Sequence, residues 1–226
     1  MKFENTQVTN FENAAIGMRL PMCRDFAEAQ QKTDLATHGL QIGGKDLDLM
    51  KRLIGADKGA SGQPNSKFLR MIHVQVAITA PLYWWKEADA YKIATVTNST
   101  STMHRIANYP ITKECFEMGD FAEELIDVRS ATDITKSVSI SQIWERLIDN
   151  LESLRLFYNQ TKDKRYWEEL IRLLPESWLQ TRMFDCNYAT LRNIYRQRKN
   201  HKLTEWHRFC GWVESLPYAK ELLIGE

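Results

Sequence analysis

The clearest pattern in the chain is an alternation. In Phe68–Ile78 (FLRMIHVQVAI), Ile72, Val74, Val76 and Ile78 fall on one side, and His73, Gln75 and Ala77 on the other. A period of two predicts a half-buried strand. Ala80-Pro81 ends it, and Pro81–Tyr91 (PLYWWKEADAY) predicts a helical turn, since proline is favoured at a first helical position. Tyr91–Ser101 is rich in Thr and Ser and predicts an irregular polar loop. Upstream, Asn13–Met22 is mildly apolar and reads as a short strand or helix plus a turn at Pro21. Lys45–Ile54 (KDLDLMKRLI) has near-helical apolar spacing, and Gly55–Ser66 (GADKGASGQPNS) is a loop by composition.

The second half predicts helices. Ile143, Leu147, Leu151, Leu154 and Tyr158 recur at intervals of four, four, three and four, marking one apolar helix face. Tyr166–Leu174 is a second helix, stopped by Pro175. Asn187–Arg198 is a third, with Leu191 and Ile194 on the face carrying Asn187. Thr204–Leu216 is the last, stopped by Pro217. No internal repeat and no convincing domain boundary interrupts the run, and Gly119–Ser141 is the best candidate for an inserted or mobile segment. The expectation is one α/β (α+β) domain over residues 1–226 with a helix-rich C-terminal half.

Composition narrows the class. Hydrophobic residues at 43% and charged residues at 26% are too apolar for a disordered chain. A net charge of +1 argues against a dedicated nucleic-acid binder, which carries a strong basic excess. The cysteines (Cys23, Cys115, Cys186, Cys210) are far apart and form no C-x-x-C pair. With a polar N-terminus and no signal peptide, they read as reduced thiols in a cytosol rather than a disulfide framework or zinc site. No stretch approaches the roughly 18 apolar residues of a membrane span. Seven tryptophans predict either a ring-lined cleft, an extensive subunit interface or a Trp-rich core.

Candidate chemistry gathers at the end of the third predicted helix, where Arg192, Arg196, Arg198, Lys199, His201 and Lys202 crowd together. Cations there can simply complement the helix dipole. They can equally form an anion site, since the arginine fork matches phosphate oxygens. Asn187 and Arg198 are eleven residues apart, about three turns, and so share nearly one face, while helical counting puts Asn193 on a different side. An amide at one end and a guanidinium at the other suit an elongated ligand such as a nucleotide.

The run beginning at Ile171 (IRLLPESW) and continuing through Asn187–Arg198 (NYATLRNIYRQR) resembles the C-terminal part of the flavin-dependent thymidylate synthases, the ThyX family. Leu174-Pro175 matches that family's LP turn; Leu191, Asn193 and Arg198 match its helix pattern, with Asn187 at the expected interval. Two departures stand out: Ala189 replaces an arginine, and the arginine before LP sits one place late, at Arg172. The upstream signature of the family, R-H-R-x-x-S-x-N-x-x-S-x-R, is eroded to Ala90, Tyr91, Lys92 and Thr95, while Asn98 and Ser101 match its later N-x-x-S with one residue inserted. No arginine follows at the expected place, although His104 and Arg105 come soon after. A divergent, largely phage-associated branch carries YWWKE-x-D-x-YK and N-S-x-S-T-M-H, and Tyr83–Lys92 and Asn98–His104 resemble it closely. The resemblance spans roughly residues 40–216.

That resemblance implies a mostly antiparallel central sheet flanked by helices. It implies methylation of dUMP at C5 with FAD as cofactor, methylenetetrahydrofolate as methylene donor and NADPH as reductant. It further implies a homotetramer with sites between subunits, in a bacterial or phage-infected host cytosol. Carried over residue by residue, Arg198 and Lys92 would serve catalysis. Glu87, Asn98, Ser101, Arg172 and Arg198 would bind nucleotide. Ser61, Lys92, Asn187 and Asn193 would bind flavin. Tyr91, in place of a histidine, is a weaker candidate base, and Trp84 and Trp85 suit either stacking or interface packing. Two alternatives stay open: a related pyrimidine-nucleotide C5 (hydroxy)methyltransferase, and a non-catalytic nucleotide- or single-strand-binding relative.

Overall fold

The computed structural model describes residues 1–34, 42–58, 64–119, 128–129 and 137–225. Its main sheet has four strands in the order β1-β2-β6-β3, antiparallel, with helices making up most of the remainder. The strands are β1 (Lys2–Thr9), β2 (His73–Pro81), β3 (Val96–Ser99) and β6 (Leu179–Asn187). A two-stranded ladder pairs β4 (Val128–Arg129) with β5 (Ser137–Val138). Ser61 and most of Gly119–Ser141 lie outside the described residues.

The chain forms two compact units, Met1–Ile78 with Ala88–Asn98 and Arg182–Glu226, and Thr79–Glu87 with Ser99–Thr181. In the first unit the alternating strand appears as expected: Ile72, Val74, Val76 and Ile78 are fully buried, and His73 and Gln75 face out. It starts later than its pattern suggested. Phe68 and Leu69 are both buried, and Lys67–Met71 winds into a 3-10 turn rather than extending the strand. The helices α1 (Phe11–Arg19), α2 (Phe26–Lys32), α3 (Gly44–Ala56), α8 (Tyr188–Arg198) and α9 (Thr204–Glu214) complete this unit. Trp206, Phe209 and Val213 from α9 and Tyr188, Leu191 and Ile194 from α8 are buried in it.

The second unit holds α4 (Leu82–Ala88, within which only Ala88 belongs to the first unit), α5 (Thr102–Arg105), α6 (Ile140–Thr161) and α7 (Lys164–Leu173). α6 opens with a capping box, Ser139 accepting from Gln142 N while the Gln142 side chain returns to Ser139 N. Its apolar face and that of α7 close over Ile106, Ile111, Phe116, Leu151 and Leu170, with Trp144, Trp167 and Trp178 packed around them. Trp84 and Trp85 are each 1% exposed, and the Trp85 indole N–H donates to the Gln180 carbonyl at 3.0 Å. Much of the tryptophan complement is therefore core.

Three strands of the main sheet and the helices α2 and α5 escaped the periodic reading. β1 is largely polar and pairs with β2 in the sheet; the Phe3 ring, stacked on Trp212 at 5.1 Å, and Thr6, accepting from the Trp212 indole, add side-chain contacts to the unit. β6 shows no full alternation, because only Phe184, Cys186 and Asn187 along it are buried. β3 corrects the polar loop expected over Tyr91–Ser101: Val96–Ser99 pairs at the sheet edge, and with all its residues exposed no apolar alternation marks it. Of the missed helices, α2 is capped by the Asp25 side chain accepting from Glu28 N, and α5 by the Ser101 side chain accepting from His104 N. No helix of the described residues is long and apolar enough to cross a membrane.

Candidate functional site

The site in the first unit is built by α8 and by the segment before β3. Asn187 stands ahead of the helix in an extended conformation (φ −124, ψ 168), and its Oδ1 accepts from Thr190 N at 2.9 Å. It is thus the N-cap, which is why the helix starts there. Beyond it, Thr190, Asn193 and Gln197 recur at three and four, forming one polar stripe, while Leu191 and Ile194 face the core. The stripe, Asn187, Arg198 and the segment Ala90–Ala94 surround an open cleft of about 710 Å³. The Thr190 hydroxyl donates to the Ile93 carbonyl at 3.2 Å and ties the two walls together.

The amide of Asn193 lies in the same cleft as Asn187, not on a different side. Helical counting fails here because Asn187 has non-helical dihedrals, so it cannot anchor a wheel that starts at Tyr188. Arg198, at the last turn, is half-buried and lines the cleft. Its Nε donates to the Tyr91 hydroxyl at 2.7 Å, and that hydroxyl donates to Gln197 Oε1 at 3.0 Å. Gln197 Nε2 in turn donates to Asn193 Oδ1 at 3.1 Å. The Arg198 guanidinium lies over the Tyr91 ring at 5.4 Å and the Trp206 ring at 4.7 Å, both within cation–π range.

The charge of the cleft is one-sided. Arg70, Lys92 and Arg198 line it, and no carboxylate does among the described residues. Its size is that of a small-molecule site. The chemistry it offers is hydrogen bonding from amides and hydroxyls, plus fixed positive charge, which matches a nucleotide-like anion.

Five sequence-nominated residues meet there: Tyr91, Lys92, Asn187, Asn193 and Arg198. The other nominated residues among those described stand elsewhere. Asn98 is exposed on β3 and is not among the cleft-lining residues. Glu87 is half-buried near the end of α4 in the second unit. Ser101, also in that unit, caps α5 by accepting from His104 N at 3.3 Å. It borders a separate, largely apolar cavity of about 510 Å³ with Arg105, Tyr109 and Trp178. Arg172 is exposed on α7 and ion-paired with Glu169 and, at 3.7 Å, with Glu168. Arg192, grouped by sequence with the surface cations, is 1% exposed and donates into the core.

Thr190, Gln197, Arg70 and Trp206 were not nominated. A polar three-four spacing through Asn193, beside the apolar Leu191 and Ile194, marks Thr190 and Gln197. Nothing local marks Arg70 or Trp206, whose placement is tertiary.

This fold is that of the flavin-dependent thymidylate synthases and related nucleotide methylases. The chain superposes with a TM-score of 0.63 on the flavin-dependent thymidylate synthase ThyX from Helicobacter pylori, solved with FAD and dUMP. The match is 16% identical and covers 99% of this chain and 97% of that one. A UMP/dUMP methylase, PolB from Streptomyces cacaoi, solved with 5-Br dUMP, matches at a TM-score of 0.60 and 14% identity, over 95% of this chain and 88% of that one. No protein-family model matches the sequence, and no curated protein matches it.

Proposed function

We propose that this chain is a divergent flavin-dependent thymidylate synthase, methylating dUMP at C5 with methylenetetrahydrofolate and NADPH in a homotetramer with sites between subunits. The observation that carries the reading is the cleft that Lys92, Asn187, Asn193 and Arg198 line, with no carboxylate among its described lining residues. The shared fold with proteins solved holding dUMP, its bromo analogue and FAD supports it.

The residues present fit an anionic, ring-bearing cofactor. Side-chain amides and hydroxyls stand beside cations for phosphate oxygens, and Ala90, Tyr91, Ile93 and Ala94 give the opposite wall an apolar surface. A bound flavin would supply the hydride chemistry that no side chain can. The protein's own part is to hold and polarise. Arg198 offers a planar cation to a phosphate or to the pyrimidine carbonyl edge, where negative charge builds as C5 becomes nucleophilic. Lys92 adds a mobile positive charge on the facing segment. Asn187 and Asn193 orient the bound molecule by hydrogen bonds.

The test is an absorbance spectrum of the purified chain supplied with FAD, with and without dUMP. A flavin band perturbed by the nucleotide is expected, and a protein that stays colourless with FAD supplied overturns the reading. Tritium release from labelled dCMP but not dUMP would favour the related (hydroxy)methyltransferase. Single-strand binding is the less favoured reading, because Trp84, Trp85 and Trp206 are buried and unable to stack on bases.

A further inference from the structure

We infer that Tyr91 is a positioning residue that clamps Arg198 into one orientation, so that the anion contact of the cleft is preformed before a ligand arrives. The inference rests on the nucleotide-binding reading above for its consequence, and on geometry alone for its existence. Arginine is a long, rotamer-rich side chain, and an unrestrained one loses much of its freedom on binding. Here that freedom is removed in advance. The phenolic oxygen takes the Arg198 Nε–H at 2.7 Å, which fixes the guanidinium in its plane. The ring of Tyr91 and the indole of Trp206 both lie against the guanidinium, at 5.4 and 4.7 Å. The two rings meet edge to face at 6.1 Å, so they brace one another.

The hydroxyl is also held. It donates to Gln197 Oε1 at 3.0 Å, and Gln197 Nε2 donates to Asn193 Oδ1 at 3.1 Å. A phenol suits this position because it accepts and donates at once, whereas phenylalanine keeps the ring and loses both bonds. Donor, acceptor and relay follow one direction, Arg198 to Tyr91 to Gln197, and end on the stripe that lines the cleft. Tyr91 therefore acts on a bound anion through Arg198 rather than as a base.

The experiment uses the purified full chain and two readouts. The first is hydrogen exchange of the arginine Nε–H groups by nitrogen-15 NMR, with the Arg198 signal assigned by its loss in Arg198→Lys. It is expected to exchange at least about tenfold more slowly than exposed arginines, and Tyr91→Phe is expected to erase that protection. The second is dUMP affinity by calorimetry. Tyr91→Phe is expected to weaken binding about five- to tenfold, the size of one ordinary net hydrogen bond, and to add nothing in an Arg198→Ala background. Rapid exchange of Arg198 in the parent, or protection that survives Tyr91→Phe, overturns the clamp. Additive losses in the double variant overturn the positioning role. A parent that shows the protected Nε–H yet binds no dUMP, UMP or dCMP refutes the proposed function and leaves the clamp standing.

Discussion

Arg192 reaches from α8 through the core of the first unit, and its Nη1 donates to the carbonyl of Leu222 at 2.8 Å and to that of Leu223 at 3.2 Å. Gly225 follows with φ +55, a conformation that favours glycine, and a Cβ there would stand 2.6 Å from Arg192 Nη2. The arginine thus closes the chain segment Lys220–Ile224 onto α8. Burial, with the nearby charge of Arg196 adding to it, pulls its pKa down to about 10, still far above neutrality.

Removing that side chain tests the closure. Arg192→Ala is expected to lower unfolding free energy by about 3 kcal/mol, from a cavity plus unsatisfied carbonyls. Arg192→Met restores the volume but not the donors, leaving a deficit of about 1–2 kcal/mol. Denaturant titration measures both. A methionine variant as stable as the parent would show that desolvating the cation cancels its hydrogen bonds.

Asn187 carries two roles that two substitutions separate. Asn187→Ala is expected to cost about 1 kcal/mol by removing the cap, and to weaken dUMP binding as well. Asn187→Asp keeps the acceptor for Thr190 N and should retain stability. It places a negative charge in an acid-free cleft, so dUMP affinity should fall at least as far as in the alanine variant. Thermal melts and calorimetry check the pair.

The thiols divide by burial. Cys186 and Cys210 are buried and Cys23 and Cys115 are half-buried. Burial, and secondarily Asp185, pushes the Cys186 thiol well above its ordinary range, while burial and Glu214 raise Cys210 to about 11. At pH 8 a disulfide reagent is expected to titrate two thiols quickly and the remaining two only on unfolding. Raising the pH to about 9.5 should leave the slow pair slow, because each stays mostly protonated below its raised pKa.

In the second unit Glu152 accepts from Ile111 N at 2.8 Å and from Arg155 Nε at 2.7 Å. The Arg155 hydrogen bond, helped by Ile111 N against the cost of burial, holds the carboxyl below the usual glutamate range. A depressed acid stabilises the fold at pH values above its unfolded pKa, about 4.3, and loses that contribution as pH falls through the folded one. Glu152→Gln is expected to cost about 1–2 kcal/mol at pH 7, and the gap should close in acid below about pH 4. A gap that stays constant down to pH 3 would exclude the ion pair as its origin.

The elements that sequence revealed are those whose information is local. The α8 helix announces itself through Leu191 and Ile194 and starts at an asparagine that caps it, so Asn187 and Arg198 were placed correctly at its two ends. The β2 alternation is equally explicit. β1 and β6 are strands for tertiary reasons: Phe3 is held by Trp212, and the alternation of Phe184 and Cys186 is too short to stand out. The site divides the same way. Arg192 and Arg198 share a charge and a helix, yet one faces the core and the other the cleft, a difference composition does not encode. The pairing of Tyr91 with Arg198 spans 107 positions, and no periodicity reaches that far.

Trp206 has an optical consequence. Its indole is buried beneath the guanidinium of Arg198, in the same unit as the cleft. A negative ligand arriving at that guanidinium changes the electric field across the indole, which should shift or quench its emission. Titrations can then follow intrinsic fluorescence with no dye attached, using Trp206→Phe as the silent control.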